Sequence, residues 1–280
     1  MLDLTASDPG ELDLVRHVVR EIVQMVPSVA PETIMLVGAT CRDILHSALG
    51  FDWPLRATND LDLAFAMADW ADYSHLTSRL TPMRDAANGV RYAVAGVPVD
   101  LMPFGRVEDP AGIVTPRGRG EAMSVWAFRE VYAGAMNLRL DPNTQIRVPS
   151  IPGYAALKLC AWLDRAGGGQ YKDAADLATV LYWFANSDAL EERLYSSDAG
   201  NAVLLEHEMD LSASAAHLLG QDIRALLGPE RHNELRARWP DARRALLISE
   251  LTLPVEAQWP RDHRRRSEIV AAMESGLELV

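Results

Sequence analysis

The chain has 280 residues, 49% of them apolar and 24% charged, which is the composition of a folded globular protein and not of a disordered one. Its 27 basic and 39 acidic residues leave a formal net charge of −12, which argues against a general nucleic-acid coat while leaving room for a local basic patch. Two cysteines, Cys41 and Cys160, are too few for a disulfide framework or a cysteine zinc site, and the apolar runs are too short to span a bilayer. With an acidic N-terminus in place of a signal peptide, the expectation is a soluble, cytoplasmic protein with no membrane partner.

Glu11 to Met25 repeats its apolar residues at helical spacing and predicts an amphipathic helix closed by Pro27 and Pro31. Thr33–Val37 reads as a buried strand ending in a turn at Gly38, with a helix opening at Thr40–Asp43 and running to Leu49. Gly50 to Asn59 reads as loop. Asp60-Leu-Asp-Leu-Ala-Phe alternates, so Leu61, Leu63 and Phe65 share one strand face and Asp60 and Asp62 the other. Asp69 can cap a helix through Leu80. Val90–Val94 and Val97–Met102 flank Ala95-Gly96 as a hairpin, Gly105 to Gly120 reads as irregular loop, and Ala135–Leu140 with Gln145–Val148 forms a second hairpin.

Beyond Ser150 the strand signals stop. Helical patterns cover Tyr154–Arg165, Lys172–Asn186, Ala189–Tyr195, Ala199–Glu208, Ser212–Leu227, Glu230–Arg238 and about Arg264 to Leu277. The organisation is α+β: a mixed sheet with flanking helices over residues 1–150, then a helical domain over 151–280.

Asp60 and Asp62 would project from one strand face about 6–7 Å apart, a spacing at which two anions repel unless a hard cation lies between them. Asp100 interrupts an apolar strand, where an unpaired aspartate is costly to bury. Three such carboxylates form a cradle for Mg²⁺ (or Mn²⁺) suited to in-line attack on a nucleotide α-phosphate; the plain alternative is a solvated strand edge. Upstream, Gly38 and Ala39 end a strand at a helix N-terminus, where backbone N–H groups can approach an anion, and Thr40 and Arg42 could meet a triphosphate. The alternative there is an ordinary strand–turn–helix with Arg42 paired to Asp43.

Leu36-Val-Gly-Ala-Thr-Cys-Arg-Asp followed by Asp60-Leu-Asp62 resembles the nucleotidyltransferase superfamily that includes DNA polymerase β and the tRNA CCA-adding enzymes. That resemblance implies a nucleotidyltransferase-type mixed sheet, an NTP substrate, and Asp60, Asp62 and Asp100 as metal ligands and catalytic groups. The chain departs from the family at Ala39, where Gly or Ser is usual, leaving the hydroxyl contact to Thr40 or missing.

Of the 27 basic residues 25 are arginine, yet both lysines fall in one short segment, Lys158 and Lys172. Lysine is a compact mobile charge that arginine does not replace at a phosphate; alternatively Lys158 snorkels and Lys172 pairs with a local acid. Lys158-Leu followed by Lys172-Asp173-x-x-Asp176-Leu177 resembles the AbiEii/AbiGii-type nucleotidyltransferases of toxin–antitoxin and phage-defence systems. This implies catalytic roles for Lys158 and Asp173, with Lys172 beside them at the nucleotide, and a cognate antitoxin as partner. The implied acceptor is an RNA such as tRNA, or a protein hydroxyl; a small-molecule acceptor and an inactive nucleotide- or partner-binding protein are the alternatives. Arg261–Arg266, with Arg231, Arg236, Arg238, Arg243 and Arg244, is the candidate RNA surface, against a solvated helix face or linker.

Overall fold

The computed structural model describes residues 4, 7–83, 89–110, 112–117 and 121–279. The chain divides into two compact units, residues 1–150 and 151–280.

The first unit opens with α1 (Pro9–Met25), whose first turn is fixed by Asp8 accepting from the Gly10 and Glu11 amides and by Pro9 at the first helical position. Val15, Val18, Val19 and Ile22 form its buried stripe. β1 (Ile34–Val37) is buried at all four positions, as befits a strand paired on both edges. It leads directly into α2 (Gly38–Ala48), then β2 (Leu61–Met67) and α3 (Trp70–Ser78), the latter capped by Asp69 through the Ala71 and Asp72 amides. Next come β3 (Thr81–Pro82), β4 (Arg91–Val94) and β5 (Val97–Gly105). β4 and β5 meet at a turn in which Ala95 and Gly96 both have positive φ, the geometry that suits the twist of a two-residue hairpin.

The segment read as irregular loop contains β6 (Ile113–Val114), which pairs antiparallel with β7 (Met123–Ser124) just beyond it; residues 111 and 118–120 lie outside the described residues. α4 (Phe128–Ala133) follows, and the hairpin of β8 (Met136–Asp141) and β9 (Thr144–Val148) closes the unit. Seven strands form one mixed sheet in the order β3-β4-β5-β2-β1-β9-β8. β2 runs antiparallel to β1 and parallel to β5, and β1 runs parallel to β9. Leu61, Leu63 and Phe65 are fully buried on one face of β2, as the alternation predicts.

The second unit is helical: α5 (Ile151–Arg165), α6 (Lys172–Ala185), α7 (Asp188–Ser196), α8 (Asp198–Glu206), α9 (Leu211–Arg238), α10 (Arg244–Glu250) and α11 (His263–Gly276). α9 is broken at Gly228-Pro229, where the sequence pattern also separates two helices. In and just after α10, Leu247, Ile248 and Leu251 are buried, and Trp239 is buried with its indole N–H donated to Glu274. Among the described residues no helix is long and apolar enough to cross a membrane. Cys41 and Cys160 are buried, and neither is in a disulfide.

Candidate active site

Strand register builds the acidic cluster of the first unit. On β2, Asp62 lies opposite Val37 of β1 on one side and opposite Asp100 of β5 on the other. The next strand out, β4, sets Arg91 opposite Asp100. Neighbouring strands are about 4.8 Å apart, so residues in register are side by side. The Arg91 guanidinium grips Asp100 with both carboxylate oxygens, Nε to Oδ1 at 2.7 Å and Nη2 to Oδ2 at 2.9 Å. The same Nη2 donates to Asp60 Oδ2 at 2.5 Å. Asp60 also accepts from the Thr58 hydroxyl.

Burial opposes the charge on Asp60, but the Thr58 hydroxyl and the Arg91 guanidinium outweigh it and hold the carboxyl below its ordinary value. Hydrogen bonding to Asp100 in turn raises Arg91 above its already high value. Asp60, Asp62 and Asp100 therefore bring three carboxylates, with one guanidinium among them, to one end of the parallel β2–β5 pair. Arg91 was not singled out from sequence. Its only signal is its place in β4, nine residues before Asp100 across a two-residue hairpin turn, which a register argument on Ala95-Gly96 would have found.

Gly38 is the second structural element of the cluster. It begins α2 with φ +72°, and a Cβ there would collide with the Asp62 carboxyl group. Glycine is needed on both counts: it tolerates the left-handed conformation, and it lets the carboxylate lie against the first turn of the helix. The N-cap residue, Val37, has no side chain that can cap the turn, and it is the Asp62 carboxylate that lies against this end of α2, where the helix dipole favours a negative charge.

The remaining residues of the expected nucleotide-binding set are placed differently. Ala39 is buried at 8% exposure, Thr40 at 2% and Arg42 at 1%. The Arg42 guanidinium is held by Asp43, Nε to Oδ1 at 2.9 Å, and donates to the Arg56 carbonyl at 2.7 Å. It anchors the Gly50–Asn59 loop, as the alternative of an Arg42–Asp43 pair describes, and is buried there and not presented to a triphosphate. Thr40, turned inside, does not present its hydroxyl at an open surface either.

The lysine motif lies in the second unit. Lys158 of α5 is buried, with Nζ 2.5 Å from Asp176 Oδ2 and 3.4 Å from Asp173 Oδ1. Arg165 Nη1 is 3.4 Å from Asp173 Oδ2, and the Lys158 ammonium lies 5.2 Å from the Tyr154 ring centroid. Lys158 does not snorkel. Two buried carboxylates are balanced by one buried ammonium and one half-exposed guanidinium, the arrangement a buried charge requires. Asp176, one turn after Asp173 on α6, is the nearer partner, although sequence assigned only Asp173. Lys172 is exposed in the first turn of α6.

The arginine clusters are largely engaged inside the second unit. Arg265 pairs with Asp210 and Glu268, Arg244 with Glu274, Arg238 with Asp164 and Arg231 with Glu234. Arg266 is buried and donates to the Ser249 and Leu251 carbonyls. Arg236, Arg243, Arg261 and Arg264 are exposed, Arg264 against Glu268. The long-range acidic partners of this run, Asp210 and Glu274 above all, are what a linear reading does not see. No protein-family model matches the chain, and no curated protein matches it.

Proposed function

We propose that the first unit is a metal-dependent nucleotidyltransferase core. The reaction is attack of an acceptor hydroxyl on the α-phosphate of an NTP: the acceptor O–P bond forms, the bond from the α-phosphorus to the bridging oxygen breaks, and pyrophosphate leaves. The observation that carries this reading is the Gly38 turn against Asp62, with Asp62 in register with Asp100 on a parallel strand and Asp60 beside them.

The donor set fits a hard divalent cation. All three groups are carboxylates, and their negative charge exceeds that of the one guanidinium among them. Asp60 and Asp62 would hold Mg²⁺ (or Mn²⁺), and Asp100 would complete the donor set or take the acceptor proton. When bound, the ion supplies Lewis-acid neutralisation of the phosphates. Arg91 now bridges Asp60 and Asp100. Its side chain is 29% exposed, so it can swing away from the carboxylates toward a phosphate when a cation enters. Positioning and fixed charge would supply most of the acceleration.

Burial and pairing of the arginine clusters favour a protein or small-molecule hydroxyl over a structured RNA as acceptor. A toxin role with a cognate antitoxin rests on the resemblance alone and is not needed for this reaction. One observation favours a second reading, a nucleotide-binding protein without turnover: Arg91 already sits as the counter-cation between Asp60 and Asp100. Calorimetric titration with NTP separates the two. The transferase reading expects binding that requires Mg²⁺ or Mn²⁺ and is lost in Asp62→Asn. Binding of equal strength in chelator would instead support the second reading.

A further inference from the structure

The second unit brings two imidazoles and a carboxylate together at the corner between α8 and α9. Glu206 ends α8, His207 is its C-cap, and His217 lies two turns into α9. His207 Nε2 and His217 Nδ1 are 3.0 Å apart, and Glu206 Oε1 is 3.6 Å from the same His217 nitrogen. One ligand atom from each residue lies within 4.8 Å of the others. We propose that Glu206, His207 and His217 form a binding site for one divalent transition-metal ion of the Zn²⁺ class, independent of the carboxylate cluster and of the reaction assigned to it.

The spacing supports this directly. Two ligand atoms about 2.0–2.1 Å from a tetrahedral metal are roughly 3.3 Å from each other. The observed separations of 3.0 and 3.6 Å lie on either side of that value, so small side-chain adjustments admit an ion. Chemistry points the same way. Nδ1 of His217 faces both the His207 nitrogen and the Glu206 carboxylate, and with a single N–H it can satisfy only one of them. A cation at the shared point satisfies all three. Two imidazoles with one carboxylate select a borderline ion over Mg²⁺ or Ca²⁺, and the exposed Glu206 side leaves a fourth position to water.

The surroundings hold the ligands in place. His217 is 8% exposed in its side chain, and its backbone is clamped by α11, where a Cβ at Gly276 would overlap the His217 carbonyl oxygen. Its other nitrogen, Nε2, is 3.0 Å from the Gln221 carboxamide one turn later. With Nδ1 on a metal, Nε2 carries the proton and donates it to that amide turned carbonyl-inward, the outer hydrogen bond that orients a ligating histidine. The nearby positive charge of Arg224 is compensated by its ion pair with Glu278. Burial, together with His207 and Arg224, outweighs Glu206 and holds His217 below its ordinary value.

The experiment is equilibrium dialysis of the full chain against Zn²⁺ alone and in excess Mg²⁺, followed by the visible spectrum of the Co²⁺-loaded protein. One ion per chain is expected to survive excess Mg²⁺ and to be retained in Asp60→Asn/Asp62→Asn. Affinity should fall about 100-fold in His207→Gln, which alters a half-buried residue and preserves the fold, and in His217→Ala; Gln221→Leu should cost about 10-fold. Four-coordinate Co²⁺ bands should disappear in His207→Gln. Absence of Zn²⁺ binding by the folded wild-type chain would overturn the site, leaving a His–His–Gln hydrogen-bonded chain. Unchanged Zn²⁺ affinity in folded His207→Gln, or loss of the ion only in the aspartate variant, would overturn it equally.

Discussion

Gly38→Ala perturbs the acidic cluster from its supporting turn, without touching a charged group. Two costs can be separated. An alanine held at φ +72° pays the left-handed penalty of about 1–2 kcal/mol. In a unit of 150 residues that lowers the melting temperature by roughly 2–8 °C. The second cost falls on Asp62. Its Cγ and Cβ would lie 2.6 and 2.8 Å from the new methyl carbon, where ordinary contact begins at 3.4 Å. Oδ2 lies nearer still, so the carboxylate must retreat, or the turn must shift, by at least 3.4 − 2.6 = 0.8 Å. A misplacement of about 1 Å costs on the order of 100-fold in rate. Gly50→Ala is the control: its φ is +80°, and a Cβ there meets nothing within 4 Å. Both variants should therefore lose stability by thermal unfolding monitored by circular dichroism, Gly38→Ala the more for its clash with Asp62, and only Gly38→Ala should lose nucleotidyl transfer and Mn²⁺ affinity. Equal activity in the two variants would refute the claim that Asp62 works from its place against Gly38.

Lys158→Met leaves Asp173 and Asp176 buried with only the half-exposed Arg165 nearby, so the second unit should lose about 3–5 kcal/mol in urea unfolding. Lys158→Met/Asp176→Leu should recover much of that, and a single variant within about 1 kcal/mol of wild type would show that the pair is not a buried ion cluster. Arg91→Met frees charge-assisted bonds on Asp60 and Asp100 worth about 1.5–3 kcal/mol each, so Mn²⁺ affinity should rise at least roughly 10-fold; a fall would mean that Arg91 organises the ligands. Hydrogen bonding from Arg265 outweighs burial and holds Asp210 below its ordinary value of 3.8. Its contribution to stability is then complete above that pH and is lost as pH falls through the depressed folded value. Arg265→Met should flatten the acid limb of the stability–pH curve, with no change in slope as the contrary result.

Six of the seven sheet strands were legible because each carries a local pattern: the apolar run of β1, the alternation of β2, and the turn residues of the β4–β5 and β8–β9 hairpins; β3, two residues long, carries none. Asp60, Asp62 and Asp100 were legible because polar residues break those patterns. What escaped depends on contacts remote in sequence. Arg91 matters through strand register, and Asp176 through its approach to a lysine 18 positions earlier on another helix. Arg42 reads as a surface cation at a helix start until the Arg56 carbonyl and Asp43 are seen around it. Arg265 and Arg244 read as a basic patch until Asp210 and Glu274 arrive from 55 and 30 residues away. α4 was hidden by its entry, since Ala127 adopts a left-handed conformation that no glycine or asparagine announces. His207 and His217 look scattered in the sequence, and only the turn at Glu208 and Met209, both at positive φ, folds one back on the other.

The most direct test of the transferase reading is incubation of the full chain with Mg²⁺ and each α-³²P-labelled NTP, alone, with total tRNA, and with cell extract fractionated into protein and small molecules. Asp60→Asn/Asp62→Asn serves as the parallel control. Label transferred to one acceptor class, with stoichiometric pyrophosphate and none in the variant, is the predicted result. Release of label without pyrophosphate, or transfer that survives in the variant, would contradict a nucleotidyltransferase built on this carboxylate cluster.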